Sequence, residues 1–248
     1  MNTYLAYSGG KDSTAMALLM PDAIPVFTDT GWEFDEIYNQ MDKFEEVTGR
    51  EIIRIVPDET LPEYIRRSKF LPGHRARFCT RIFKIEQYNT WIALQAAKNK
   101  HVDMCIGLRA DEDKRVGNIS EIEGVNIRYP LQEKGVDKFE VIRTCLDYNL
   151  LPRYPVYMAR GGCKGCYYKR KAEVKAMVQL CPDVLDGLQD IEEEVQDERG
   201  RFAFMFPNIN MSIRDLRRQP ALFDMTEVYQ SASQRADYGR NCGAFCGR

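Results

Sequence analysis

Short apolar runs alternate with longer amphipathic segments through the first half of the chain. Tyr4-Leu5-Ala6-Tyr7 is an apolar run of strand length, and Thr14 to Met20 follows it as a helix-like run. Asp22 to Asp29 reads as a second strand with Thr30-Gly31 as its exit. From Glu33 to Val47, Phe34, Ile37, Met41, Phe44 and Val47 fall near helical spacing. Glu51 to Val56 reads as a third strand and Asp103 to Leu108 as a fourth, with Gly124 to Pro130 as a further one. Strands alternating with helices predict an α/β fold: a parallel sheet with helices on both faces and ligands outside the carboxyl ends of its strands. From about Gly135 the alternation fades. Glu173 to Val195 reads as one or two helices broken at Cys181-Pro182, and Phe204 to Arg218 is apolar and then basic. Residues Gln230 to Arg248 form a polar, glycine-containing tail.

Between the first strand and the first helix stands Ser8-Gly9-Gly10-Lys11-Asp12-Ser13-Thr14. Adjacent glycines let the backbone turn tightly and bring its N–H groups close to an anion. The helix that follows aims its unpaired N–H groups and the positive end of its dipole at the same point. Ser8, Lys11 and Ser13 add donors, so a phosphate is the expected guest. Neither the Walker loop nor the G-x-G-x-x-G dinucleotide fingerprint is present. The competing reading is a polar turn in which Ser8 or Asp12 caps the helix.

The 248 residues are 44% hydrophobic and 29% charged, with net charge −2. That balance excludes a globally basic nucleic-acid binder. No run approaches the roughly 18 apolar residues of a membrane helix, and the N-terminus enters a strand without secretory features, so a soluble cytoplasmic protein is expected. Eight cysteines without such a signal point to thiolates, metal or redox work rather than structural disulfides. The only histidines are His74 and His101, so any metal site must be cysteine-rich. Cys163-Lys164-Gly165-Cys166 places two thiols on one tight turn, close enough for one metal centre. Two more cysteines would complete a four-thiolate site suited to zinc or a [4Fe–4S] cluster. A redox dithiol or two buried thiols are the rival readings. Cys105 reads as core and Cys181 as structural.

Ser-Gly-Gly-Lys-Asp-Ser after a first strand resembles the PP-loop of the ATP pyrophosphatases, in the adenine nucleotide alpha hydrolase-like superfamily. Phe27-Thr28-Asp29-Thr30-Gly31 with Glu33 resembles the phosphoadenylyl-sulfate (PAPS) reductase-like branch, in its bacterial or phage type. The resemblance implies a Rossmann-like fold, with residues 1–134 as the nucleotide-binding α/β domain and 135–248 as a helical, cysteine-containing region completing a metal site. It implies phosphate contacts from Ser8, Gly9, Gly10, Lys11, Asp12 and Ser13, with Lys11 and Asp12 catalytic. Asp29, Thr30 and Gly31 would lie beside the adenosine; read alone, the segment is a strand-end turn with Asp29 as a cap. Gly107 and Arg109, and Arg115 in a partial match, would hold phosphate or sulfate; Asp113 stands where the pattern has serine, and Arg115 falls one position early. The surroundings of Cys79, Cys145, Cys163 and Cys166 resemble a family quartet that holds a metal or cluster. Cys242 and Cys246 sit in a tail like the one from which sulfonucleotide reductases supply a nucleophilic cysteine, but without the E-C-G-x-H form.

Arg66, Arg67, Lys69, His74, Arg75, Arg77, Arg81 and Lys84 crowd one stretch and favour an anionic ligand. Lys164, Lys169, Arg170 and Lys171 surround the Cys-x-x-Cys, as phosphate contacts or as plain surface cations. The first expectation is therefore an enzyme that binds ATP and Mg²⁺, adenylates a substrate and transfers sulfur, with zinc as the alternative to [4Fe–4S]. A nucleotide, tRNA or DNA would be the acceptor, and a sulfur donor or thiol reductant protein the partner. The second is a sulfonucleotide reductase, in which a thiolate attacks sulfur. The third is a non-enzymatic nucleotide or iron–sulfur sensor.

Overall fold

The computed structural model describes residues 2–112, 121–199 and 203–218. In chain order the elements are β1 (Asn2–Ala6), α1 (Lys11–Leu19), β2 (Ile24–Thr28), α2 (Asp35–Thr48), β3 (Ile53–Ile55), α3 (Leu61–Ser68) and the single turn α4 (Phe78–Thr80). A π-helical turn, Arg81–Glu86, leads into α5 (Gln87–Asn99), β4 (Val102–Cys105) and the 3₁₀ turn Ala110–Glu112. Then come β5 (Val125–Arg128), α6 (Pro130–Glu133), α7 (Lys138–Asp147), α8 (Lys171–Leu180), α9 (Pro182–Arg199) and α10 (Ile213–Arg217). Each expected strand is present; β1 begins two residues earlier than expected and ends one earlier, and the others are shorter by two or three residues. The expected break at Cys181-Pro182 separates α8 from α9, because proline cannot continue a helix but suits its first turn.

All strand pairings are parallel, in the order β3-β2-β1-β4-β5. Successive side chains point to opposite faces. On β1, Tyr4 enters one core cluster and Leu5 the other; on β2, Val26 and Phe27 divide the same way. Helix α5 covers one face with Tyr88, Ile92 and Ala96, four residues apart. Helix α2 covers the other with Ile37, Met41 and Phe44. The central β2 is buried on both faces and reads as a near-continuous apolar run, whereas the edge strands β3 (Ile-Arg-Ile) and β5 (Val-Asn-Ile-Arg) alternate.

The topology fixes where a ligand can sit. From β1 the chain winds outward through β2 to β3, then crosses back to β4 on the other side of β1. The loops leaving β1 and β4 therefore diverge at a switch point, the place where open parallel sheets bind ligands. Those loops are Ser8–Gly10 and Ile106–Arg109. Helix α7, begun by an Asp137–Glu140 capping box, packs along α1 and brings Cys145 beneath the loop. No helix is long and apolar enough to cross a membrane, among the described residues.

Candidate active site at the sheet's switch point

The loop after β1 is a tight turn braced by its own side chains. Gly9 sits at φ +68°, and a Cβ there would stand 3.2 Å from Ile37 Cγ2, so glycine answers both the backbone and the space. Ser13 Oγ donates to the Gly10 carbonyl (3.0 Å) and accepts from the Ser8 N–H (3.1 Å), cross-bracing the turn. The Tyr154 hydroxyl donates to the Gly9 carbonyl at 3.2 Å. The first intrahelical bond is Thr14 N–H to Gly10 carbonyl at 2.9 Å. The N–H groups of Lys11, Asp12 and Ser13 precede it, and Gly10 offers no side-chain cap, a helix end of the kind that can receive an anion.

Beside the cradle lies a buried charge cluster. Asp12 Oδ1 accepts from Lys11 Nζ at 2.7 Å and from Arg109 Nη1 at 3.1 Å. The other edge of Arg109 forks onto Asp111 at 2.8 and 3.0 Å, and Glu112 lies 3.7 Å away. Burial lowers the proton affinity of Lys11, with Asp12 opposing it. Burial also works against the Arg109 charge, but Asp111, Asp12 and Glu112 outweigh it and hold its pKa above the ordinary value. Gly107 lets this loop approach: a Cβ would meet the Asp12 carbonyl carbon at 3.4 Å and the Ser13 nitrogen at 3.5 Å.

The exit of β2 joins the cradle to the thiols. Asp29 Oδ1 accepts from the Gly31 N–H and the Tyr38 hydroxyl, both at 2.8 Å, so Asp29 shapes a turn here. Gly31 has φ +67°, and a Cβ would come within 2.5 Å of the Thr60 methyl. Past the turn, Glu33 forms an antiparallel bridge with Cys163, and the Lys164 N–H donates to the Trp32 carbonyl at 2.8 Å. The Trp32 ring lies on Gly165, where a Cβ would approach it to 2.2 Å. The glycine of the Cys-x-x-Cys turn is thus required by the residue that follows Asp29-Thr30-Gly31.

Cys79, Cys163 and Cys166 share one locality. Burial raises the thiol pKa of Cys79, with Cys166 adding to it; burial raises that of Cys163 well above the usual value, with Glu33, Cys166 and Cys79 adding. Cys145 lies on α7, against the start of α1. Its Sγ donates to the Lys11 carbonyl at 3.3 Å, and burial followed by Asp12 pushes its pKa to about 12. Packing of α7 on α1 places it under the Ser8–Gly10 loop, and Cys79, Cys163 and Cys166 lie near one another. The trio fits a thiolate-bound centre in donor chemistry. No group of three or more His, Cys, Asp or Glu is drawn into ligating geometry among the described residues. Arg115, Cys242 and Cys246 lie outside the described residues.

The sequence reading missed the Glu33–Lys84 pair, the bridge to Cys163 and the Tyr154 contact, all fixed by long-range packing. Glu112 and Asp111 were overlooked as partners of Arg109, although i,i+2 and i,i+3 spacing was a visible signal.

No curated protein matches the chain significantly. Among solved structures, the phosphoadenylyl-sulfate (PAPS) reductase from Candida auris, a phosphate complex, is 17% identical over 61% of this chain and 74% of that one, with TM-score 0.47. The U34-tRNA thiolase NcsA from Methanococcus maripaludis, with its [4Fe-4S] cluster, is 15% identical over 98% of this chain and 81% of that one, also at TM-score 0.47. Neither likeness is close enough to carry chemistry across. Residues 2–126, half of the chain, match the phosphoadenosine phosphosulfate reductase domain. This stretch holds β1 to β4 and the start of β5, the Ser8–Gly10 loop, the Asp29 turn and Cys79, and on that match the chain belongs to the phosphoadenosine phosphosulfate reductase domain family.

Proposed function

We propose that the chain is an enzyme that binds ATP with Mg²⁺ at Ser8–Ser13, adenylates a substrate and delivers sulfur to a nucleotide or nucleic acid, tRNA or DNA. The observation that carries this reading is the direct joint between the β2 exit and the thiol turn, through the Glu33–Cys163 bridge. It sets sulfur chemistry next to a nucleotide's expected position. The N–H groups of the loop and of the first turn of α1 hold the pyrophosphate and stabilise charge as it departs. Lys11 leaves Asp12 to reach the phosphates, and Arg109 keeps Asp12 in place meanwhile. Asp29, Thr30 and Gly31 flank the adenosine. Cys79, Cys163 and Cys166 would hold a [4Fe–4S] cluster, or zinc; when bound, such a centre supplies a Lewis-acidic or redox-active metal site for sulfur. Cys242 and Cys246 are candidate thiols for the sulfur step, fed by a sulfur donor or thiol reductant protein.

A second reading, a sulfonucleotide reductase, is favoured by the family match itself. There the same cradle holds a sulfonucleotide phosphate and a thiolate attacks its sulfur. Anaerobically purified protein incubated with labelled ATP, or with PAPS and thioredoxin, separates the two. AMP and pyrophosphate release supports adenylation, and sulfite release supports reduction. Neither product would remove both readings.

A further inference from the structure

The Ser8–Gly10 loop is tethered by a residue from the second half of the chain. Tyr154 lies 145 positions after Gly9 and donates its hydroxyl to the Gly9 carbonyl at 3.2 Å. It stands between α7 and the Cys163–Cys166 turn. Pro155 follows it, and a residue before proline is held to extended backbone, so the segment is stiff where the ring leaves it. The hydroxyl reaches Gly9 through a slot that Gly161 keeps open. A Cβ on Gly161 would stand 3.1 Å from the Tyr154 oxygen and 2.9 Å from Ile37 Cδ1. Ile37 is also the side chain that a Cβ on Gly9 would meet. Burial raises the Tyr154 pKa above the ordinary tyrosine value, so the hydroxyl keeps the proton it donates.

This contact sets a direction. A trans peptide is planar, and its C=O and N–H point opposite ways. No peptide bond is cis among the described residues. Anchoring the Gly9 carbonyl on Tyr154 therefore turns the Gly10 N–H away from Tyr154. Ser13 Oγ acts alike one residue on: it donates to the Gly10 carbonyl, which turns the Lys11 N–H the other way. With both carbonyls tied back, the loop offers donors rather than negative ends to an arriving anion. The Ser13 brace moves with the loop, whereas Tyr154 ties the loop to another part of the fold. A peptide between two glycines is the easiest to turn over, because glycine accepts either sign of φ. Turned over, it would present the Gly9 carbonyl where a phosphate needs an N–H.

We propose that Tyr154 is a positioning residue, which locks the Gly9–Gly10 peptide in the orientation that offers the Gly10 N–H to a phosphate. This rests on the phosphate reading of the loop given above. Tyr154→Phe keeps the ring and removes the donor. Gly161→Ala keeps the tyrosine and crowds its hydroxyl out of the slot; it takes the place of Tyr154→Phe should that variant fail to fold. Tyr7→Phe is the comparison, because its hydroxyl pairs with Thr14 Oγ1 at 3.2 Å and not with a loop carbonyl. Equilibrium dialysis of labelled ATP with Mg²⁺, and its displacement by inorganic pyrophosphate, are run on the full-length proteins. Differential scanning calorimetry checks the fold of each.

The expected result is saturable binding by wild type and about 3- to 10-fold weaker binding of both ATP and pyrophosphate by Tyr154→Phe, as the loss of one hydrogen bond gives. Tyr7→Phe should melt lower by a comparable amount and keep wild-type affinity for both. A folded Tyr154→Phe with wild-type affinity overturns the role of Tyr154 and leaves the phosphate reading standing. An equal loss of affinity in Tyr7→Phe also overturns it, since the effect is then a general loosening around the loop. If wild type binds neither ATP nor pyrophosphate, the phosphate reading itself has failed and the role of Tyr154 falls with it.

Discussion

Replacing Arg109 with methionine tests whether this residue is scaffold or ligand. By resemblance it should grip phosphate, but in the fold it is already committed. Its side chain is 3% exposed and reaches Asp12 at 3.1 Å, where the carboxylate is 7% exposed. Asp111 is bound at 2.8 Å but is 41% exposed, so solvent discounts that bond to about 1 kcal/mol or less. The cost of Arg109→Met is set at Asp12 and at Glu112, 11% exposed, which lose their shared cation. Breaking a buried pair by removing one partner costs about 3–5 kcal/mol. Lys11 remains on Asp12, so the low end, about 3 kcal/mol, applies. For a chain of this size that corresponds to a melting temperature lower by about 6–12 °C. Differential scanning calorimetry at pH 7 reads it, with equilibrium ATP binding measured alongside. A variant that melts within about 2 °C of wild type yet loses ATP would refute the scaffold argument and make Arg109 a direct phosphate ligand.

Cys145→Ser should keep the metal content of wild type, because a serine hydroxyl can still donate to the Lys11 carbonyl and the thiol is not with the other three; loss of iron or zinc by elemental analysis would return Cys145 to the centre. Glu192, 1% exposed, accepts the Met205 and Ile213 N–H groups at 2.7 Å each, and burial raises its pKa from 4.5 to about 6. The folded state then binds this proton more tightly than the unfolded state. Its contribution is present below pH 4.5 and is lost as pH rises through about 6, a change of about 2 kcal/mol. Denaturant melts of wild type and Glu192→Gln from pH 4 to 7 should show wild type losing that amount relative to the variant, and parallel curves would contradict it.

Much of the fold was legible because its signals are local. A buried parallel strand is largely apolar, so β1, β2 and β4 stood out in the sequence. The tight turn at Gly9 was legible because two adjacent glycines stand between a strand and a helix. Helices α3, α5 and α7 were not placed; in α3 the apolar positions are interrupted by charges that pair elsewhere. Arg66 on α3 meets Glu194 on α9 at 3.1 Å, a partner 128 residues away. The cysteine set shows the same limit. Spacing put Cys163 and Cys166 together, but only the packing of α7 against α1 decided that Cys145 belongs to the loop. Glu33 looked like a helix start; its bridge to Cys163 spans 130 residues and leaves no local trace.

The central claim is that an adenine nucleotide sits in the Ser8–Ser13 cradle. Equilibrium dialysis of labelled ATP with Mg²⁺ against wild type and Gly9→Ala tests it most directly. Alanine at φ +68° is strained by about 1–2 kcal/mol and crowds Ile37 at 3.2 Å, so the cradle must distort while the sheet survives. Saturable binding by wild type, weakened about tenfold or more in Gly9→Ala, is the predicted result. Equal affinity in the two proteins, or no binding by wild type, would contradict the placement of the nucleotide.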